Sequence, residues 1–241
     1  MYMWNPINDL RARRRAKRRE RKQRTVGSHM VWRDQSFWKQ AQTDHGHVPG
    51  IPDLRLYFLQ SLIRSLANVP GDIAECGVRH GKSALYMISA MEEEQRQART
   101  VFLFDSFEGL SAPIPGRDQM DTVVDANTGK RLFDIGGPKQ VMERFEGKNV
   151  EIKTGWIPDR FGEIEDRKFA LVHVDVDLYQ PTKDTIEFFY SRLEPFGAMI
   201  CDDYGSGSYP GAREAMDEFF ADKTENIVEL PQGLSFIIKR P

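Results

Sequence analysis

From about residue 52 onward the apolar positions recur with two alternating periods. LRLYFLQSLIRSLANV (54–69) spaces them three and four apart, as a helix with one buried face does, and stops at Pro70. GDIAECGV (71–78) is a short continuous apolar run, the mark of a buried strand, and a helix is expected from about Lys82 to Glu94. TVFLFDSF (100–107) reads as a second strand ending in an acid. An irregular stretch rich in Gly, Pro and Asp follows at 108–137, then a helix at about 138–146 and the short strand VEIKTG (150–155). FALVHVDVD (169–177) predicts a strand, PTKDTIEFFYSRL (181–193) a helix, GAMICDD (197–203) a strand and GAREAMDEFFADK (211–223) a helix. NIVELP and LSFIIKR close the chain as two strands near enough in sequence to pair antiparallel. This order predicts an α/β fold: a mostly parallel sheet with helices on both faces and an antiparallel C-terminal strand. No internal repeat is present.

Composition adds a division of the chain. Of 241 residues, 40% are hydrophobic and 29% charged, as in a globular domain, and the net charge is only −2. That balance hides a segment, residues 1–30, with ten Arg or Lys against Asp9 and Glu20; the remainder carries 24 basic and 34 acidic residues. Such segregation marks an appended arm, expected to be solvated and disordered. It is the one feature that speaks for a nucleic-acid partner, through release of counterions. Gly-Ser-His-Met at 27–30 has the form of a remnant left by a cleavable tag, so 31–241 is taken as the single folded domain, with 108–137 as a candidate lid insert. No apolar run reaches the roughly 18 residues of a membrane helix, and no signal peptide is visible. Cys76 and Cys201 end apolar runs, as buried free thiols do, which suits a reducing cytoplasm.

Ligands of open parallel sheets bind at the carboxyl ends of the strands. Those ends read Glu75, Asp105, Gly155, Asp175, Asp177, Asp202 and Asp203, nearly all acidic. The first of them opens ECGVRHGKSA (75–84), which holds Gly77, Gly81 and Ser83 and superficially suggests a nucleotide-binding P-loop. That loop needs four residues between its first glycine and Gly-Lys-Ser, and here Cys76 stands where the glycine belongs. Carboxylates at 75 and 105 would also repel a pyrophosphate. They suit a cationic ligand with an amino group and a ribose, and Asp105 is placed to accept from a ribose diol. S-adenosylmethionine has that chemistry. On this reading Lys82 points outward from the first helical turn.

Asp175 and Asp177 share one face of their strand, and Asp202 with Asp203 ends the next. Carboxylates packed together protonate, face water or bind a cation, and an all-oxygen set favours magnesium over zinc. Such an ion would hold an acceptor hydroxyl and lower its pKa for a neighbouring carboxylate base. His173 lies inside an apolar run and reads as a core imidazole. His45 and His47 have metal-like spacing without a third ligand, and His80 lies in the glycine loop. Tyr179 and Tyr204 are expected to pack at the rim. Trp32, Phe37 and Trp38 are expected to cover an apolar patch or a partner chain.

DIAECGVRHGKSA, LFDSFEGL, TGWIPD, HVDVDLYQPTKDT and ICDDYG followed by PGAREAMDEF occur in the order found in the macrocin O-methyltransferase family, which the chain resembles over about residues 52–239. The resemblance implies a Rossmann-like methyltransferase fold. It implies metal-dependent methyl transfer from S-adenosylmethionine to a hydroxyl of a small, sugar-like acceptor of natural-product type, and assembly as a homo-oligomer. It places Glu75, Gly77, Asp105, Ser106 and Trp156 in the cofactor site, where the neighbouring Gly81, Ser83 and Gly155 join them. It makes Asp175, Asp202 and Asp203 ligands of Mg2+, with Asp175 the first candidate for the base and Asp177 the second. Lys82 departs from the family pattern, where a second glycine is usual. The alternatives are an RNA methyltransferase that uses the basic arm, or a non-catalytic nucleoside-binding relative.

Overall fold

The computed structural model describes residues 31–46, 48–93 and 99–241. The basic arm, the Gly-Ser-His-Met segment and His47 lie outside the described residues. The chain divides into two compact units, up to Gly46 and from His47 onward. In the first, a 3-10 turn at Val31–Asp34 leads into α1 (Ser36–His45). Trp32 packs edge-on against Trp38 with ring centroids 5.3 Å apart.

The second unit is built on seven strands: β1 (Asp72–Cys76), β2 (Val101–Asp105), β3 (Val150–Thr154), β4 (Phe169–Val174), β5 (Leu193–Cys201), β6 (Val228–Glu229) and β7 (Ser235–Ile238). They lie in the order β3-β2-β1-β4-β5-β7-β6. The first five are mutually parallel, β7 runs antiparallel to β5, and β6 antiparallel to β7. The helices are α2 (Asp53–Ser65), α3 (Lys82–Glu93), α4 (Lys139–Arg144), α5 (Tyr179–Tyr190) and α6 (Pro210–Phe220). Among the described residues no helix is long and apolar enough to cross a membrane.

Sheet alternation explains why the central strands read as unbroken apolar runs: both faces are covered. Ala74, Phe102, Phe104, Val172, Val174 and Met199 point to one face and pack with Ile186 and Phe189 of α5 and Met216 and Phe220 of α6. Glu75 and Phe236 point to the other, where Ser83 of α3 reaches Glu75 and Phe58 of α2 meets Phe236 at 5.4 Å. Both cysteines are free and buried.

The strand expected over 169–177 ends at Val174, and the backbone beyond it turns left-handed at Asp177 (φ 61°). Helix α5 starts at Tyr179, two residues earlier than expected, because Asp118 from the insert accepts the Tyr179 N–H at 2.9 Å. The insert is accordingly not structureless. Asp118 also accepts from the Ile114 N–H at 2.8 Å, and Arg117 pairs with Glu214 and Glu218 of α6 at 3.0 and 2.8 Å. Leu110 and Val123 form a small cluster with Leu178, against which Leu132, Phe133 and Tyr209 pack.

Candidate active site

The turn after β1 is held by backbone hydrogen bonds on both sides. The Gly77 N–H donates to the Phe104 carbonyl at 2.9 Å, and the Asp175 N–H to the Cys76 carbonyl at 2.8 Å. Asp105 stands at the end of β2 and accepts from the backbone N–H groups of Val78 and Arg79, both at 2.7 Å, and of Phe107 at 2.6 Å. A carboxylate offers about four lone-pair directions. Asp105 therefore spends three on shaping the turn and keeps about one for a ligand.

Beside this turn lies a cavity of about 270 Å³. Gly77, Ser83, Asp105, Ser106, Gly155 and Trp156 line it, and so do Asp175, Asp177, Asp202 and Asp203. The glycine turn and the acidic cluster thus share one hollow. Lys82 also lies on its wall, but instead of pointing outward it bends to the Ile51 carbonyl at 2.9 Å and ties down the segment before α2.

Two expected cofactor residues are not on the cavity wall. Glu75 is fully buried one residue short of the strand end; alternation turns it between β4 and α3, where its Oε1 receives the Ser83 hydroxyl and lies 3.0 Å from His173 Nδ1. Gly81 faces α4, and a Cβ there would stand 2.7 Å from the Phe145 ring. Its contribution is close packing of the loop, at φ 74°. Tyr179 and Tyr204 lie off the wall too, their hydroxyls donating to Glu218 at 2.5 Å and Asp217 at 2.7 Å.

Asp175, Asp202 and Asp203 each offer a carboxylate oxygen within 4.8 Å of the others. Among the described residues, Asp202 Oδ1 and Asp203 Oδ2 are buried without a hydrogen-bond partner. Burial, then the charges of Asp202 and Asp203, hold Asp175 well above the usual carboxylate range. Burial and Asp202 push Asp203 up to about 7, against the opposing pull of Arg55 and His173. Asp177 is raised by burial and by Asp203, with Arg79 acting against them, and stands outside the group of three. Orphaned oxygens and crowded charge, with oxygen donors only, fit a hard divalent cation. His173 is fully buried between two acids, with Nε2 at 3.7 Å from Asp202 Oδ1. Burial lowers its pKa, but the carboxylates of Asp202 and Glu75 outweigh that and hold it at about 10.

A family model described as Macrocin-O-methyltransferase matches residues 8–231. The chain belongs to this family. It is 32% identical over 162 residues to the 8-demethyl-8-(2,3-dimethoxy-alpha-L-rhamnosyl)-tetracenomycin-C 4'-O-methyltransferase of Streptomyces olivaceus, covering 63% of this chain and 59% of that one. It is 28% identical over 173 residues to the mycinamicin III 3''-O-methyltransferase of Micromonospora griseorubida, covering 68% of this chain and 67% of that one. The chain therefore spans about three fifths of the first relative's length and two thirds of the second's. In structure it resembles the O-methyltransferase NovP, with a TM-score of 0.66 at 24% identity over 78% of this chain and 80% of that one. It also resembles the calicheamicin methyltransferase CalS11, with a TM-score of 0.65 at 18% identity over 84% and 91%. These two likenesses bear on the fold, which is the Rossmann-like fold expected.

For this macrocin-O-methyltransferase family member, the cavity wall includes residues that sequence reasoning missed, among them Arg55, Phe133 and Tyr209. Arg55 of α2 donates to Asp202 Oδ2 and, at 2.8 Å, to the Gln232 carbonyl. No local pattern marks it, since it is one more polar position of an amphipathic helix. Phe133 and Tyr209 face each other with ring centroids 6.4 Å apart, and Arg79 lies 4.7 Å over Phe133. They come from the insert and the loop before α6, where no periodicity helps.

Proposed function

We propose that the chain transfers a methyl group from S-adenosylmethionine to a hydroxyl of a small, sugar-like acceptor, with a divalent ion, magnesium by preference, held by Asp175, Asp202 and Asp203. The observation that carries this reading is the shared cavity: the glycine turn and the acidic cluster open into one space. Family membership supports the reaction class, and the relatives named for a rhamnosyl tetracenomycin and for mycinamicin III support a glycoside acceptor.

The donor would supply an electrophilic methyl carbon, and the ion would bind and acidify the acceptor hydroxyl. The chain's own residues do the rest. The turn at Gly77–Arg79, fixed by Asp105, orients the donor, and the remaining lone pair of Asp105 accepts from its ribose. Ser106, Gly155 and Trp156 complete that side. Phe133 and Tyr209 offer aromatic faces to the acceptor. Asp175 is the first candidate for the base on sequence grounds, but the geometry favours dividing the roles. Asp175 belongs to the ligand group, whereas Asp177 borders the same cavity outside it and is free to take the hydroxyl proton.

Calorimetry with S-adenosylmethionine, with and without magnesium, tests the reading, followed by methyl-transfer assays on glycosylated acceptors. The expected result is cofactor binding and turnover that EDTA and Asp202→Asn abolish. Absence of cofactor binding in both conditions overturns it.

A further inference from the structure

The mechanism leaves unused the buried polar groups that run from the glycine turn to Asp202. It begins at Ser83, in the first turn of α3 on the cavity wall, whose hydroxyl donates to Glu75 Oε1. Glu75 meets His173 Nδ1 at 3.0 Å, its cross-strand neighbour from β1 to β4. His173 Nε2 faces Asp202 Oδ1 at 3.7 Å, and among the described residues neither atom has another partner. Arg55 grips the other oxygen of Asp202, which fixes the carboxylate's rotation and keeps Oδ1 turned toward the imidazole. Glu75 and His173 are both 0% exposed.

Burying this many polar and ionisable groups in the middle of a sheet is costly, and an apolar trio of similar volume would serve packing better. The arrangement needs a reason other than stability. Its two ends supply one: Ser83 lies on the glycine-turn side of the cavity and Asp202 in the acidic cluster. Resting on the functional reading above, we infer that His173 is a positioning residue that couples the two halves of the site. A ligand that orders the start of α3 fixes Ser83 and Glu75, hence the imidazole and the Asp202 carboxylate. Ion binding at Asp202 orders the same groups in reverse. Each ligand thereby lowers the ordering cost met by the other, and the coupling is reciprocal.

The test measures Mn2+ affinity by calorimetry, with and without S-adenosylhomocysteine, which lacks the sulfonium charge. In the unaltered protein the thioether ligand is expected to tighten Mn2+ binding by about fivefold or more, the lower end of ordinary coupling. In His173→Leu that ratio should fall below about twofold, while each ligand still binds alone. Ser83→Ala, which breaks the chain at its opposite end, should lower the ratio too and serves if the leucine variant does not fold. Coupling carried by direct contact between the two ligands would survive both substitutions, so an unchanged ratio in a folded variant overturns the inference. A ratio of one in the unaltered protein, with both ligands bound, overturns it as well and leaves the functional reading standing. If neither ligand binds, the functional reading falls and takes the inference with it.

Discussion

A Cβ built on Gly77 would stand 1.8 Å from the carbonyl oxygen of Asp175. The glycine turn after β1 and the strand end that carries the acidic cluster therefore touch backbone to backbone, at a residue with φ 87°. Gly77→Ala adds a steric overlap to an unfavourable conformation, so a loss of at least about 2 kcal/mol is expected. Urea unfolding measures it, and S-adenosylhomocysteine affinity should fall with it. An alanine variant of unaltered stability would show that the two segments are not in contact.

Asp203→Asn separates function from stability. Unit charges about 4 Å apart repel by about 4 kcal/mol at an effective dielectric near 20. The three acids of the cluster place carboxylate oxygens within 4.8 Å of one another. With EDTA present, removing one charge should stabilise the protein by roughly 0.5–2 kcal/mol. Mn2+ affinity should drop by about tenfold or more in the same variant, since a charged ligand is lost. Destabilisation in EDTA would argue against crowded charge in the folded state.

The division of roles between neighbouring acids is open to kinetics. Asp177→Asn should lower kcat by about 10²–10⁴-fold, the usual weight of a general base. Affinities for the donor and for Mn2+ should stay within a factor of about three, because Asp177 lies outside the group of three carboxylates that could hold an ion. Loss of ion affinity would instead make it a ligand.

Glu225 gives a pH dependence remote from the site. It is buried and accepts the Arg240 N–H at 3.0 Å and the Tyr190 hydroxyl at 2.8 Å. Burial raises its pKa, but these hydrogen bonds win and hold it below the ordinary 4.5. The folded pKa is depressed, so its stabilisation is complete above about pH 4.5 and is lost as pH falls through the lower folded value. Glu225→Gln should cost about 1–3 kcal/mol at pH 7. The gap to the unaltered protein should narrow below pH 4 in acid-unfolding curves.

Much of this was readable from residues in order. Alternating periods located the helices and strands, because a sheet covered on both faces leaves continuous apolar runs such as Phe102–Phe104. Acids at most of the successive strand ends meet in one cavity, because parallel strands deliver their ends to one edge. What stayed hidden came from partners distant in sequence. Glu75 looked like a rim residue until His173 and Ser83 were seen to enclose it. Arg55 and Asp118 act on residues 147 and 61 positions away, and no local pattern encodes such pairings. The 108–137 insert lacks a period altogether, so the roles of Leu110 and Phe133 depend on three-dimensional placement.

The reversed direction of β7 has a consequence for the far end of the chain. A seventh parallel strand would begin at the opposite edge and leave the acids behind. Running backwards, it is preceded by a bend at 231–234 that arrives beside them: the Gly205 N–H reaches the Gly233 carbonyl at 2.6 Å, and Arg55 spans from Gln232 to Asp202. The last dozen residues are thus a buttress for the edge that carries the acidic cluster, and trimming them would loosen a carboxylate some thirty positions upstream.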